Sequence, residues 1–457
     1  MKLRIFNPSL KPVSALIISG FYILVSCQSP MVHTSQPTEK PQTSSAFSKT
    51  IHKDADVAID WYKLQLRIFL YSSPQISPLV VARNLGYVGV GLYESVRHGI
   101  NGSVSFSESL YQMPPMPGKE KNNDYAWDIS ANAALAELVR SLYANNLTVE
   151  NKTSIDSLEN AYNEKHSPTV RSEVFKRSQV YGRAVAKAIF DWSKTDNTNL
   201  SGTGYAAPSF PGSWAPTPDG FAAPAGPYLG LARPFLEANL RGSDQAFPFT
   251  YSEDPSSDFY KMVKDVYDVS QTLTNDQRTI ALYWDDIGTA KGYTPPGHAF
   301  SIITQVLENR QADLSWAAQV YAKAGVAIRD AFILCWRGKY KYCILRPVTY
   351  IRKVINPNWL PLINTPSHPE YFAAHAFITA APMQVLTKLV GDNFEFTDNT
   401  YKFLGFTPRS FSSFNAIATE AGISRRYGGI HYMPSIQTGL MLGKECGEKA
   451  ANIKLTQ

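Results

Sequence analysis

Three segments in the last third of this 457-residue chain carry residue types able to hold an oxyanion. The first, Trp336 to Pro347, contains Lys339 and Arg346. On a continuous helix their separation puts both cations on one face, two turns apart. An arginine offers a planar fork that suits phosphate-like oxygens, and a lysine offers a compact point charge. The same pair would equally serve as a solvated basic patch. The second segment, Thr365 to Ala376, has Pro369 and Glu370 where the first turn of a helix is predicted. That start would place His375 near backbone N–H groups that attract an anion, although a histidine on an apolar helix is otherwise an ordinary core residue. The third, Ser424 to Ser435, has Gly428-Gly429 to end one helix and Pro434 to open another. Arg425 and His431 then lie around a tight bend. Taken singly, each segment is ordinary.

The elements that must position these residues read as helices. Apolar residues recur at helical spacing over 54–71, 78–96, 124–143, 149–162 and 170–192. The pattern resumes over 257–274, 275–287, 299–309, 314–337, 369–390 and 434–451. Between them, 199–240 is crowded with Gly and Pro, and a loop of that length inside a domain is usually functional or wraps the surface. No alternating run demands a sheet, so the predicted class is mainly α, a helical bundle. His298, after Pro295-Pro296-Gly297, reads as structural, and Asp285 and Asp286 read as a helix face.

Composition sets further bounds. Hydrophobic residues make up 44% and charged residues 18%, which specifies a folded chain. The net charge of +6 comes without a dense Lys/Arg run, which argues against nucleic acid as a partner. The amino terminus has Lys2, Arg4 and Lys11, then an apolar run over Val13–Val25 that is too short for a comfortable membrane span. It ends in Leu24-Val25-Ser26-Cys27, which resembles a lipoprotein signal. The expectation is a signal peptide over 1–27, acylation of Cys27 and a Ser/Thr/Gln/Pro-rich tether over 28–50. One folded domain would then occupy 51–457, with its pocket in 330–440. Such a chain would be an exported bacterial lipoprotein of the periplasm or outer membrane. Cys335, Cys343 and Cys446 remain; an odd number argues against a disulfide framework, so buried free thiols are expected.

In order, the three segments resemble the signature of the vanadium-dependent haloperoxidase and type-2 phosphatidic acid phosphatase superfamily. Lys339 with Arg346-Pro347 matches the first motif. Phe372-Ala373-Ala374-His375 stands where the family usually has Pro-Ser-Gly-His. Ser424-Arg425 with His431 matches the third, except that Ser435 replaces an aspartate. Upstream text, including Ser77-Pro78 and Thr294 to His298, is similar to the bacterial haloperoxidase-like branch, and the resemblance runs from about residue 55 to 450.

The resemblance implies that Lys339, Arg346, Arg425 and the backbone at Ala374 surround the oxygens of vanadate or phosphate. It implies that His431 is the axial ligand of vanadium, or the nucleophile of a phosphatase, that His375 is the general acid/base, and that Trp336, one turn before Lys339, walls the pocket. Small anions (halide, vanadate or phosphate) and peroxide would be the partners, together with a membrane reached through Cys27; the oligomeric state stays open. Three activities follow. One is vanadate-dependent oxidation of halide by peroxide, weakened by Ala373 and Ser435. The second is acid phosphatase action on the same pocket, with no cofactor. The third is a degenerate oxyanion-binding lipoprotein. The expected weakening rests on Ser435, which cannot supply the carboxylate that orients His431; loss of such a partner typically costs about 10–100-fold.

Overall fold

The computed structural model describes residues 54–218, 220–241, 244–286 and 292–457. The expected signal peptide, Cys27 and tether lie outside these residues. The described residues belong to one compact unit. It contains α1 (Asp56–Tyr71), α2 (Pro78–Val96), α3 (Trp127–Leu142), α4 (Val149–His166), α5 (Ser172–Ser193), α6 (Asp258–Gln271) and α7 (Asn275–Tyr283). The second half adds α8 (Pro295–Asn309), α9 (Leu314–Tyr342), α10 (Pro347–Val354), α11 (Ala374–Val390), α12 (Phe414–Tyr427) and α13 (Met433–Ala451). No helix among the described residues is long and apolar enough to cross a membrane.

The axis of the bundle is α9. Its amino end is capped by Asp313, which accepts the Trp316 N–H at 2.8 Å. It is buried along most of its 29 residues because α2, α11 and α13 pack around it. The contact between α11 and α13 is made close by Gly439, Gly443 and Gly447, one per turn on a single face. A Cβ at those positions would lie 2.8, 2.3 and 2.1 Å from the carbonyl oxygens of Ala373, Phe377 and Ala381. Glycine there lets the α13 backbone lie directly on α11, which fixes the start of α11 relative to the bend at His431. Helices α3, α4 and α5 build a further layer against α2 and α1.

Most predicted helices form, and four local departures have physical causes. First, α9 ends at Tyr342 because Cys343 takes a left-handed conformation, φ 50°. Lys339 and Arg346 therefore do not share a helix face; Arg346 is the residue before Pro347 at the start of α10. Second, Pro369 and Glu370 do not open α11. Their carbonyls, with that of Phe372, bind the Lys339 ammonium, and the Glu370 N–H donates to the Ile344 carbonyl at 2.9 Å. The segment stays non-helical, a run of bends, until Ala374 as a result. Third, α7 stops at Tyr283, so Asp285 and Asp286 are not on a helix face. Fourth, a two-stranded antiparallel ribbon, β1 (Phe396–Asp398) with β2 (Arg409–Phe411), pairs Asp398 with Arg409 and carries Asp398 into the interior. Helix α10 was not predicted, and of α12 only its end at Gly428-Gly429 was.

The long Gly/Pro loop is tied to the rest of the molecule by backbone bonds. The Trp214 N–H donates to the Cys343 carbonyl at 2.7 Å, and the Ala225 N–H to the Ser367 carbonyl at 2.8 Å. Asp330 of α9, fully buried, accepts the N–H groups of Phe235 and Leu236 at 2.6 and 3.0 Å. Cys335, Cys343 and Cys446 are free and buried.

Candidate active site

The second half of α9, the amino ends of α2, α8 and α11, and the segments before α11 and α13 line a cavity of about 220 Å³. Three histidines line it, His368, His375 and His431, against an apolar wall that includes Leu79, Phe332, Trp336 and Ile378. The Trp336 indole N–H donates to the Ala225 carbonyl at 3.0 Å, which holds the ring in place, and its ring centre lies 4.9 Å from that of His368.

His431 is fixed from both sides. Its Nε2 faces Nη1 of Arg346 at 3.1 Å, and its Nδ1 faces Oε1 of Glu370 at 2.7 Å. A guanidinium has no acceptor, so Nε2 carries the lone pair and Nδ1 donates its hydrogen to Glu370. The imidazole is thus neutral with Nε2 presented as a base. Burial holds His431 well below the usual histidine range, with Arg346, Lys339 and Arg425 adding to the effect.

Glu370 occupies the role for which the sequence offered only Ser435. Its Oε1 also accepts the Tyr432 N–H at 3.0 Å. Burial pushes its pKa up to about 7, while the Tyr432 N–H, Arg346, Lys339 and the Ser435 hydroxyl favour the charged form. Ser435 is buried and sits beside this carboxyl group. The orienting carboxylate is therefore present, but it comes from the segment before α11 instead of from α13.

The cations are committed to different degrees. Lys339 donates to the carbonyls of Pro369, Glu370 and Phe372. These contacts use every hydrogen an ammonium has. Burial pushes its pKa down to about 7, with Arg346 adding to the drop. Arg346 donates to the carbonyls of His368 and Ile430, both at 2.9 Å, and from Nη2 to Nδ1 of His368 at 3.0 Å. Arg425 has donors to spare. It gives Nη1 to the Trp284 carbonyl; its buried Nε and Nη2 have no hydrogen-bond partner among the described residues, although Nη2 lies 3.9 Å from Oδ1 of Asp285. Its pKa is pushed down to about 10 by burial, with Asp285 and Asp286 opposing.

His375 is the second residue of α11 and is buried. No side chain caps the start of this helix, where Ala373 and Ala374 stand. The His375 Nε2 lies 3.7 Å from Oδ2 of Asp286. Burial holds His375 well below the usual histidine range, and the cations Arg425, His298, Lys339 and Arg346 lower it further.

The sequence puts Asp286 on a helix face and Glu370 in a helix start; both lie at the site, as does His368. For His368 and Glu370 the signal in the sequence is their closeness to His375; Asp286 has none.

The description "VCPO second helical-bundle domain" fits residues 319–358 and 353–456, which contain every one of these cations and cavity histidines. A bacterial vanadium-dependent iodoperoxidase of known structure is 31% identical, superimposes with a TM-score of 0.80, and is matched over 89% of this chain and 98% of its own. The chain belongs to the vanadium haloperoxidase superfamily. Two bacterial vanadium-dependent chloroperoxidase structures share the fold at 16% identity. The apo form has a TM-score of 0.60 over 82% of this chain and 91% of its own. The holo form has 0.57 over 88% and 93%. No curated protein matches. This superfamily is helical, in agreement with the predicted class.

Proposed function

We propose that the chain is a vanadate-dependent haloperoxidase that oxidises a large, weakly hydrated halide such as iodide with hydrogen peroxide. One observation carries the reading: His431 is held neutral between Glu370 and Arg346, with Nδ1 donating to the carboxyl group and the Nε2 lone pair, which accepts from Arg346 Nη1, available to a ligand that displaces that bond. The residues fit an oxyanion. Arg425 has unpartnered buried donors, and α11 begins without a side-chain cap. His431 would hold vanadate through Nε2, with Arg425, Arg346, Lys339 and the amino end of α11 balancing its charge. Bound vanadate supplies Lewis acidity toward peroxide without a change of oxidation state.

The protein's own work is in placement. His375 would move a proton at Nδ1, since its Nε2 is turned toward Asp286. Leu79, Phe332, Trp336 and Ile378 keep bulk water from the cavity. An apolar wall penalises a strongly hydrated ion more than a weakly hydrated one, which favours iodide over chloride. The iodoperoxidase described above supports the same choice.

Calorimetric titration of the whole chain with orthovanadate tests the reading. Near-stoichiometric binding is expected, and His431→Ala should weaken it at least about 100-fold, as loss of a direct ligand exceeds the loss of an outer partner. Wild-type protein that binds no vanadate would overturn the proposal, as would bound vanadate that gives no iodide oxidation.

Export as a lipoprotein belongs to the same proposal and rests on Leu24-Val25-Ser26-Cys27. Cys27→Ser should move the protein from the membrane fraction to the soluble one; unchanged fractionation would remove the lipid anchor from the reading.

A further inference from the structure

Behind His375 lies a buried line of charge that the proposed chemistry does not use directly. Asp286 sends Oδ2 toward His375 Nε2, at 3.7 Å, and Oδ1 toward Nδ1 of His298, at 2.9 Å. The other nitrogen of His298, Nε2, lies 2.8 Å from Oδ2 of Asp398. Asp398 is itself well satisfied: it accepts from the Tyr283 hydroxyl at 2.7 Å and from the Thr400 N–H at 2.9 Å. Tyr401 donates its hydroxyl to Asp286. The His298 ring is stacked on Trp284 with centres 4.4 Å apart. The carbonyl of that same Trp284 accepts from Arg425.

An ionised carboxylate only accepts hydrogen bonds, so a histidine between two of them must donate from both nitrogens. His298 is 0% exposed. Burial alone would strip its proton, but Asp286 and Asp398 outweigh burial and raise its pKa to about 10. Asp398 is correspondingly held down at about 2, against burial, chiefly by His298. The groups facing His298 are therefore Asp286, Asp398, Tyr283, Tyr401 and Trp284; those facing His375 are Asp286 and the cations Arg425, Lys339 and Arg346.

We infer that His298 is a positioning residue: a doubly donating imidazolium, clamped by Asp398, that holds Asp286 turned toward His375, so that the His375 proton stays on Nε2 and Nδ1 faces the cavity. The inference deepens the proposed function, because the tautomer matters through the proton role given to His375. A separation of 3.7 Å suits such a role, since catalytic hydrogen bonds often tighten only when the site is filled. Without the imidazolium, Asp286 would keep only the Tyr401 hydroxyl as a hydrogen-bond donor among the described residues. It would then be free to turn away, and His375 would lose its reason to prefer one tautomer.

The test is nitrogen NMR of the whole chain labelled at its eight histidines, near neutral pH and without vanadate, with signals assigned by single His→Gln variants. In wild type, His298 should show both ring nitrogens protonated and His375 a single Nε2–H tautomer. In His298→Gln, His375 should become a mixture of tautomers, and iodide turnover in the presence of vanadate should fall about tenfold or more, as for loss of an outer-shell partner. A neutral His298 in wild type, or an unchanged His375 tautomer in the variant, overturns the inference. If His298→Gln does not fold, the wild-type spectrum decides: a charged His298 beside an Nε2–H His375 supports the role, and any other pair of states removes it. These signals are read without vanadate, so failure of the haloperoxidase reading would leave the result standing.

Discussion

Introducing the aspartate that the family pattern calls for, Ser435→Asp, should weaken vanadate binding about tenfold or more and lower thermal stability. Motif comparison alone expects the opposite, since it scores Ser435 as a missing orienting carboxylate. In the folded chain that carboxylate is Glu370, whose Oε1 lies 2.7 Å from His431 Nδ1. Ser435 is fully buried beside it. A second carboxyl group there puts two like charges in one desolvated place, and one of them must stay protonated or repel the other. Glu370→Gln should cost about 10–100-fold in vanadate affinity, because a neutral amide orients the imidazole but does not raise its basicity. The double variant Glu370→Gln/Ser435→Asp should bind more tightly than either single variant, since it restores one carboxylate. Calorimetric titration of the four proteins decides the matter, and a Ser435→Asp protein that binds vanadate more tightly than wild type would show that Glu370 is not the partner.

The same pair gives a pH signature. Glu370 is raised from 4.5 to about 7, first by burial. Between those values the folded chain holds a proton that the unfolded chain has released, so this group's contribution to stability is present below 4.5 and is lost as pH rises through about 7. Glu370→Gln has no such proton. It should therefore be as stable as wild type or more so at pH values above 7, while binding vanadate less well. A merely structural role for Glu370 would move stability and affinity together.

How much of this was legible in the sequence depends on how local each determinant is. The long amphipathic pattern of α9 and the order Lys339, Arg346, His375, Arg425, His431 are written along the chain, and the helical class and family followed from them. Where competition between backbone partners decides, the sequence misleads. Pro369-Glu370 has the form of a helix start, but the buried Lys339 ammonium takes those carbonyls, and the helix begins only at Ala374. A single left-handed residue, Cys343, undoes the helix-face argument for Lys339 and Arg346. Pairings distant in the chain leave no trace at all. Glu370 meets His431 across 61 residues, and His298 meets Asp398 across 100. Only the folded chain distinguishes a lost function at Ser435 from one supplied elsewhere.

The two cations Lys339 and Arg425 look equivalent in the motif, and their removal should have opposite signatures. Lys339→Met keeps the length of the side chain but leaves the carbonyls of Pro369, Glu370 and Phe372 without their buried donor. Loss of a charge-assisted bond costs about 1.5–3 kcal/mol and each orphaned buried acceptor adds about 1–3 kcal/mol, relaxed in part by movement of the loop. A loss of roughly 3–5 kcal/mol in denaturant unfolding is expected, typical of breaking a buried charged group from its partners. Vanadate affinity should fall with it, because those carbonyls belong to the segment that carries Glu370 and leads into α11. Arg425→Gln removes a buried guanidinium whose Nε and Nη2 have no hydrogen-bond partner among the described residues. Little stability is lost there, since an under-partnered buried charge is itself costly, whereas vanadate binding should drop about 100-fold or more with the loss of the donors left free for the anion. Denaturant unfolding and calorimetry on both variants separate the two roles. If Lys339→Met unfolds at the wild-type midpoint, the ammonium does not hold the segment, and Lys339 would be assigned to the anion alone; if Arg425→Gln binds vanadate as wild type does, its free donors do not face the anion. The expected contrast would mean that one conserved-looking pair of cations divides the labour, with one building the loop that orients His431 and the other meeting the charge that His431 holds.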